Sequence, residues 1–216
     1  MQRRDFSRSL LAAGATALTA SAAFTTLSAQ AQAAGLKEGT DFIRLGKPAP
    51  VETPAGQVEV VEFFAYSCIH CYRFEPLLEA WVKKLPTDVK LRRLPAAFSP
   101  AFEPMQRLYF TLESMGLVDK LHAKVFAAFH DERLPLSAPA AIVDWVTKQG
   151  VNRDQFLAFF NGPAAQKAVQ ATQLQEAYGL EGTPAIGVAG QFYISGQGPK
   201  TLLIADSLIA QVRSKA

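Results

Sequence analysis

Metal ligands are scarce in this chain, which has two cysteines and three histidines among its 216 residues. A zinc site takes about four ligands. With no second cysteine pair, zinc would have to recruit His122 and His130, so no metal is expected. Basic runs and basic patches interleaved with aromatics are also missing, which leaves nucleic-acid binding without its electrostatic footprint. No internal repeat is visible. The main apolar stretch, residues 10–27, is diluted by Gly14, Ser21 and four threonines. No stop-transfer pattern follows it, so it reads poorly as a membrane anchor.

That stretch reads better as the apolar region of a secretory signal peptide over residues 1–33. Arg3, Arg4 and Arg8 precede it, and Ala29-Gln30-Ala31-Gln32-Ala33 supplies small residues for cleavage. Arg3-Arg4-Asp5-Phe6 resembles a twin-arginine export signal, with Ser7 where an apolar residue is usual. Removing Arg3, Arg4, Arg8 and Asp5 from the 22 basic and 19 acidic residues leaves 19 and 18, so the net charge falls from +3 to +1. The remaining length of about 183 residues suits one domain carrying an insertion.

The two cysteines sit together as Cys68-Ile69-His70-Cys71. The run Val58 to Tyr66 is rich in β-branched and aromatic residues and reads as a buried strand, whereas the segment from Cys68 to about Leu85 has helical periodicity. The pair therefore lies at a strand-to-helix junction, where unpaired backbone N–H groups and the helix dipole favour a thiolate at Cys68. A structural disulfide across two intervening residues closes too small a loop to stabilise much. The pair makes more sense as a reagent than as a staple.

Phe74, Leu77, Leu78, Trp81, Val82 and Leu85 are expected on one buried helix face, and Pro76 should kink that helix. A short strand is expected at Phe42 to Leu45 and another at Val89 to Leu94. A right-handed crossover would make the Val58 and Val89 strands parallel. A helical block of roughly 70 residues follows. In it Leu117, Leu121, Val125 and Phe129 recur at four-residue spacing, Ser137 starts a helix ending at Gly150, and Asn152 with Gln155 forms a cap. Pro163 opens a helix closed by Gly179. Ile186–Ala189 and Phe192–Ser195 read as a hairpin turning at Gly190-Gln191, before a last helix from Leu202 to Val212.

The segment Glu62-Phe63-Phe64-Ala65-Tyr66-Ser67-Cys68-Ile69-His70-Cys71-Tyr72-Arg73-Phe74-Glu75, joined with Gly182-Thr183-Pro184-Ala185, resembles the DsbA family of exported thiol:disulfide oxidoreductases. The resemblance implies an α/β thioredoxin-like fold with an inserted all-helical domain. Residues 34–98 and 166–216 would form the thioredoxin-like part and residues 99–165 the insertion. It also implies a periplasmic enzyme, without a cofactor, that gives disulfides to newly exported cysteine-containing proteins. Reoxidation by a membrane quinone-linked partner of the DsbB type and a monomeric state belong to the same expectation. Ile69 stands where many relatives have proline, and Thr183 where some have valine.

Disulfide exchange runs by thiolate attack on sulfur, so Cys68 is the expected attacked and leaving sulfur and Cys71 its buried partner. The His70 ring is expected to hydrogen-bond the Cys68 thiolate. Glu62, if buried as the strand glutamate of that family is, would have a raised pKa and exchange protons with Cys71. Glu75 is expected to be solvated. The resemblance makes Thr183-Pro184 a cis pair whose backbone binds extended substrate. The aromatic residues of the insertion should be mostly core, with a few lining a groove beside Cys68. A thioredoxin-like reductant, a disulfide isomerase, a glutathione-dependent isomerase and a peptide-binding chaperone are the alternatives.

Overall fold

The computed structural model describes residues 35–215, so the signal peptide and the twin-arginine motif lie outside the described residues. The chain runs β1 (Ile43–Arg44), β2 (Val58–Phe64), α1 (Ile69–Val82), β3 (Val89–Pro95), a short 3₁₀ turn (Pro100–Phe102), α2 (Glu103–Ser114) and α3 (Val118–His130). It continues through α4 (Pro139–Lys148), α5 (Arg153–Asn161), α6 (Pro163–Ala177), β4 (Ala185–Val188), β5 (Phe192–Ser195) and α7 (Pro199–Arg213). None of the described helices is long and apolar enough to cross a membrane.

The five strands form one sheet in the order β1-β5-β4-β2-β3. As expected, β2 and β3 are parallel, with Glu62 beside Arg93 in register; β4 and β5 pair antiparallel to their neighbours. β3 is an edge strand, and so tolerates Pro95, which has no N–H to give the ladder. All seven residues of β2 are buried. Its alternate side chains feed two cores. Val58 and Val60 join Phe74, Leu78 and Trp81 of α1 and Leu208 and Ile209 of α7. Val61 and Phe63 join the side built from α2 to α6. Burying one such side chain contributes about 1.5–3 kcal/mol, so a strand buried on both faces anchors the helices on both sides. That also explains why Glu59 and Glu62 broke a clean period-two pattern: neither face of β2 meets solvent.

Several local expectations shift. Ser137 does not cap α4: the cap position is Ala138, without a side-chain hydrogen bond, and Pro139 at the first turn has no donor to satisfy. Asn152 does cap α5, its Oδ1 accepting from Gln155 N–H at 2.9 Å. The hairpin turns one residue earlier than expected, at Ala189 (φ 53°) and Gly190 (φ 64°), with Gln191 N–H donating to Val188 C=O at 2.9 Å. Glycine is required at 190, because a Cβ there would lie 2.3 Å from the Ala49 carbonyl oxygen. Helix α6 spans residue 165, where the insertion was expected to end.

Candidate active site

Cys68 is the N-cap of α1 and takes the place a serine or aspartate usually fills. Its sulfur accepts from Cys71 N–H at 3.3 Å. The helix continues through Pro76, and its buried side runs Cys71, Phe74, Glu75, Leu78, Trp81. Leu77 is not part of it: that side chain is 42% exposed and lines a groove of about 460 Å³ that also includes Thr183 and Pro184. None of the insertion aromatics lines that groove; Phe74 of α1 does.

Both cysteines are free thiols, and their surroundings differ. Cys68 is half-buried, whereas Cys71 is fully buried. The Cys68 pKa is lowered from 9.0 to about 5, chiefly by a hydrogen bond from the Cys71 thiol. Burial opposes the shift, while the Thr183 side chain and the backbone N–H groups of Cys71 and His70 assist it. Cys71 is pushed far the other way by burial and by the hydrogen bond it gives to Cys68. When protonated, Cys68 Sγ donates to the Thr183 carbonyl oxygen at 3.4 Å, which places the cis Thr183–Pro184 bond directly across from the sulfur. His70 supplies its backbone N–H; its imidazole is exposed and lines the groove, in place of the expected ring-to-sulfur hydrogen bond.

Behind α1 lies a buried charged cluster. Glu62 has no solvent exposure, and its Oε2 is 3.2 Å from Arg93 Nε. This is a charge contact without hydrogen-bond geometry, and neither Glu62 oxygen has a hydrogen-bond partner. Burial and the charge of Glu75 therefore raise the Glu62 pKa well above the ordinary range, against the pull of Arg93. Glu75, expected to be solvated, is instead buried. Arg93 donates to its Oε1 at 2.9 Å, and His122 Nε2 stands 3.4 Å away on the other side. Burial pushes the Glu75 pKa up, but His122 and Arg93 outweigh it and hold the group ionised. Arg93 also pairs with Glu79.

The sequence reading missed the other end of this cluster. Tyr66, two residues before Cys68, shares a 2.8 Å hydrogen bond with His122 Nδ1, and its carbonyl oxygen accepts from His130 Nε2 at 2.9 Å. His130 stacks on Tyr72, with ring centres 5.2 Å apart, and the Tyr72 hydroxyl donates to Asp131 at 2.6 Å. Helix α3 thus clamps both flanks of the cysteine motif. The eight-residue spacing of the two histidines, two turns of one helix face, was a visible signal that they act together; their target on another element was not. As potential zinc ligands they are instead committed to Tyr66, and no group of three or more metal-ligating side chains occurs among the described residues.

The model of the DSBA-like thioredoxin domain family matches residues 59–204. The thiol:disulfide interchange protein DsbA of Bordetella parapertussis is 40% identical over 219 residues, covering 99% of this chain and 100% of its own length. The protein of the same name from Pseudomonas aeruginosa is 39% identical over 191 residues, covering 86% and 90%. The crystal structure of Pseudomonas aeruginosa DsbA aligns with a TM-score of 0.79 at 37% identity, covering 83% of this chain and 96% of that one. A Cys-x-x-Cys helix cap facing a cis-proline loop, on a sheet of this order and within a match of this extent, leads to one conclusion: the chain belongs to the DSBA-like thioredoxin domain family.

Proposed function

We infer that this thiol:disulfide oxidoreductase works as a dithiol oxidase in the periplasm, passing a Cys68–Cys71 disulfide to exported proteins that carry reduced cysteines. One observation carries the direction of transfer. Cys68 Sγ caps the open start of α1 and accepts from Cys71 N–H at 3.3 Å, a setting that lowers its pKa to about 5; a sulfur held mainly as a thiolate at pH 7 is a good leaving group.

A substrate thiolate attacks Cys68 Sγ of the oxidised protein; the bond between the cysteines breaks, and Cys71 departs and takes up a proton, as its burial demands. A second substrate thiolate then attacks the substrate sulfur of the mixed disulfide and releases Cys68 as a thiolate. Two electrons enter the protein, the substrate gains a disulfide, and of the two protons its thiols gave up one is held on Cys71. Glu62, a carboxyl in the cluster behind α1 whose pKa burial raises, is the group we assign to exchange that proton. The backbone around Thr183 and Pro184 holds the substrate segment, and a quinone-linked membrane protein of the DsbB type takes the electrons away. Cysteine pair aside, no cofactor enters the cycle, and the protein acts as a monomer.

Equilibrating the purified mature protein with glutathione buffers tests this reading. A midpoint well above that of thioredoxin is expected, near or above about −200 mV; a midpoint near about −270 mV would make the protein a reductant and overturn the oxidase assignment. A Cys71→Ala protein that still turned over substrates with glutathione would belong to the glutathione-dependent class instead.

A further inference from the structure

The groove beside Cys68 is built from two walls. Arg73, Phe74 and Leu77 come from α1, Thr183 and Pro184 from the loop before β4, and Pro199 from the start of α7. The second wall is fixed closely, since a Cβ on Gly196 would lie 2.4 Å from the Pro184 carbonyl oxygen. No aspartate or glutamate lines the groove. Arg73 is exposed, and it makes no ion pair with any described residue. Helix geometry accounts for this. The positions three and four residues from Arg73 are His70, Pro76, Ile69 and Leu77, none acidic. The carboxylates of α1, Glu75 and Glu79, lie toward Arg93 instead.

We propose that Arg73 is a specificity-determining residue that favours substrate segments bearing an acidic side chain close to the cysteine that bonds Cys68. This rests on the oxidase reading. Because Thr183 both lines the groove and meets Cys68 Sγ at 3.4 Å, a substrate cysteine joined to Cys68 places its next few residues along the groove at about 3.3 Å each. Their apolar side chains rest on Phe74, Leu77 and Pro199, and an aspartate or glutamate reaches the unpaired guanidinium. An exposed ion pair changes the second-order rate by about 1.4- to 5-fold. A lysine at the same place is repelled to a similar degree, so the acid-to-base preference is about 2- to 25-fold.

The test uses short peptides with one cysteine pair and an aspartate, serine or lysine placed one, two or three residues to either side of the attacking cysteine. The kcat/KM for oxidation by the oxidised mature protein is divided by the rate with uncharged 2-hydroxyethyl disulfide, which removes the effect of the neighbouring charge on the peptide thiol itself. We expect an aspartate-over-lysine ratio in the stated range for at least one placement. It should fall to about one in Arg73→Gln, persist in Arg73→Lys and in Lys90→Gln, a substitution of an exposed cation outside the groove, and shrink as salt is raised. Equal normalised rates for all peptides, or an unchanged ratio in Arg73→Gln, overturn the proposal while the oxidase reading stands. Failure to oxidise any peptide, serine versions included, overturns both.

Discussion

Replacing Cys71 by alanine isolates the main reason Cys68 is acidic. The thiol of Cys71 is the leading cause that brings Cys68 from 9.0 to about 5. A hydrogen bond to a charged group contributes about 1.5–3 kcal/mol, and one pH unit of pKa corresponds to about 1.36 kcal/mol. The loss therefore raises the Cys68 pKa by about one to two pH units. Half-exposure of the sulfur lets water replace part of the lost donor, which favours the lower end, about one. Backbone N–H groups at the helix start remain in the variant and keep the pKa below 9.0. Ultraviolet thiolate absorbance and the rate of alkylation, both followed against pH, give the value directly. Cys71→Ser, with a hydroxyl donor in the same place, should fall between the native protein and the alanine variant. An alanine variant with the native pKa would refute the reasoning, because the backbone and helix terminus alone would then account for the acidity.

The same shift links redox state to stability. A thiolate whose pKa is lower folded than unfolded stabilises the reduced protein fully above about pH 9, and that contribution is lost as pH falls through about 5. The oxidised form lacks this titrating thiol, so the urea midpoint of the reduced form should rise relative to the oxidised one from pH 5 to pH 8; a gap that ignores pH contradicts the lowered pKa. Glu62→Gln should change stability by less than about 1 kcal/mol, since neither Glu62 oxygen has a hydrogen bond to lose and burial raises its pKa, whereas Glu75→Gln should cost about 3 kcal/mol by removing the carboxylate to which Arg93 donates. Equal urea midpoints for the two variants would refute this ranking, and the opposite order would reverse it. His70→Ala should move the Cys68 pKa by less than about half a pH unit, because the backbone donor survives; a rise of a full unit would restore the ring to the mechanism.

The elements positioning the cysteines were legible because each carries its own local signal: the β-branched run of β2 and the helical period after Cys68. The parallel β2–β3 pairing followed from crossover handedness alone. What stayed hidden depends on partners distant in sequence. Glu75 looked like a surface charge because nothing local reveals that Arg93, across the sheet, and His122, from the insertion, meet on it. Leu77 looked like core because one buried stripe was drawn too wide; in fact Phe74 and Leu78 turn inward while Leu77 faces the groove. The hairpin turn moved by one residue because Ala189 adopts a left-handed backbone that sequence statistics assign to glycine or asparagine.

The asymmetry of the two sulfurs follows from the length of their motif. Three residues of α-helix rise about 4.5 Å and end about 60° from where they began, so the two sulfurs meet on one face, but one stays at the open helix start while the other sits a turn deeper. Cys68 stands outside the first turn, where free N–H groups collect. Cys71 opens the buried stripe that continues through Phe74, Glu75 and Leu78. Burial therefore keeps Cys71 a thiol, and as a thiol it is a donor, which is what makes Cys68 a stable thiolate. The two shifts have one origin, and a change that exposed Cys71 would weaken both together.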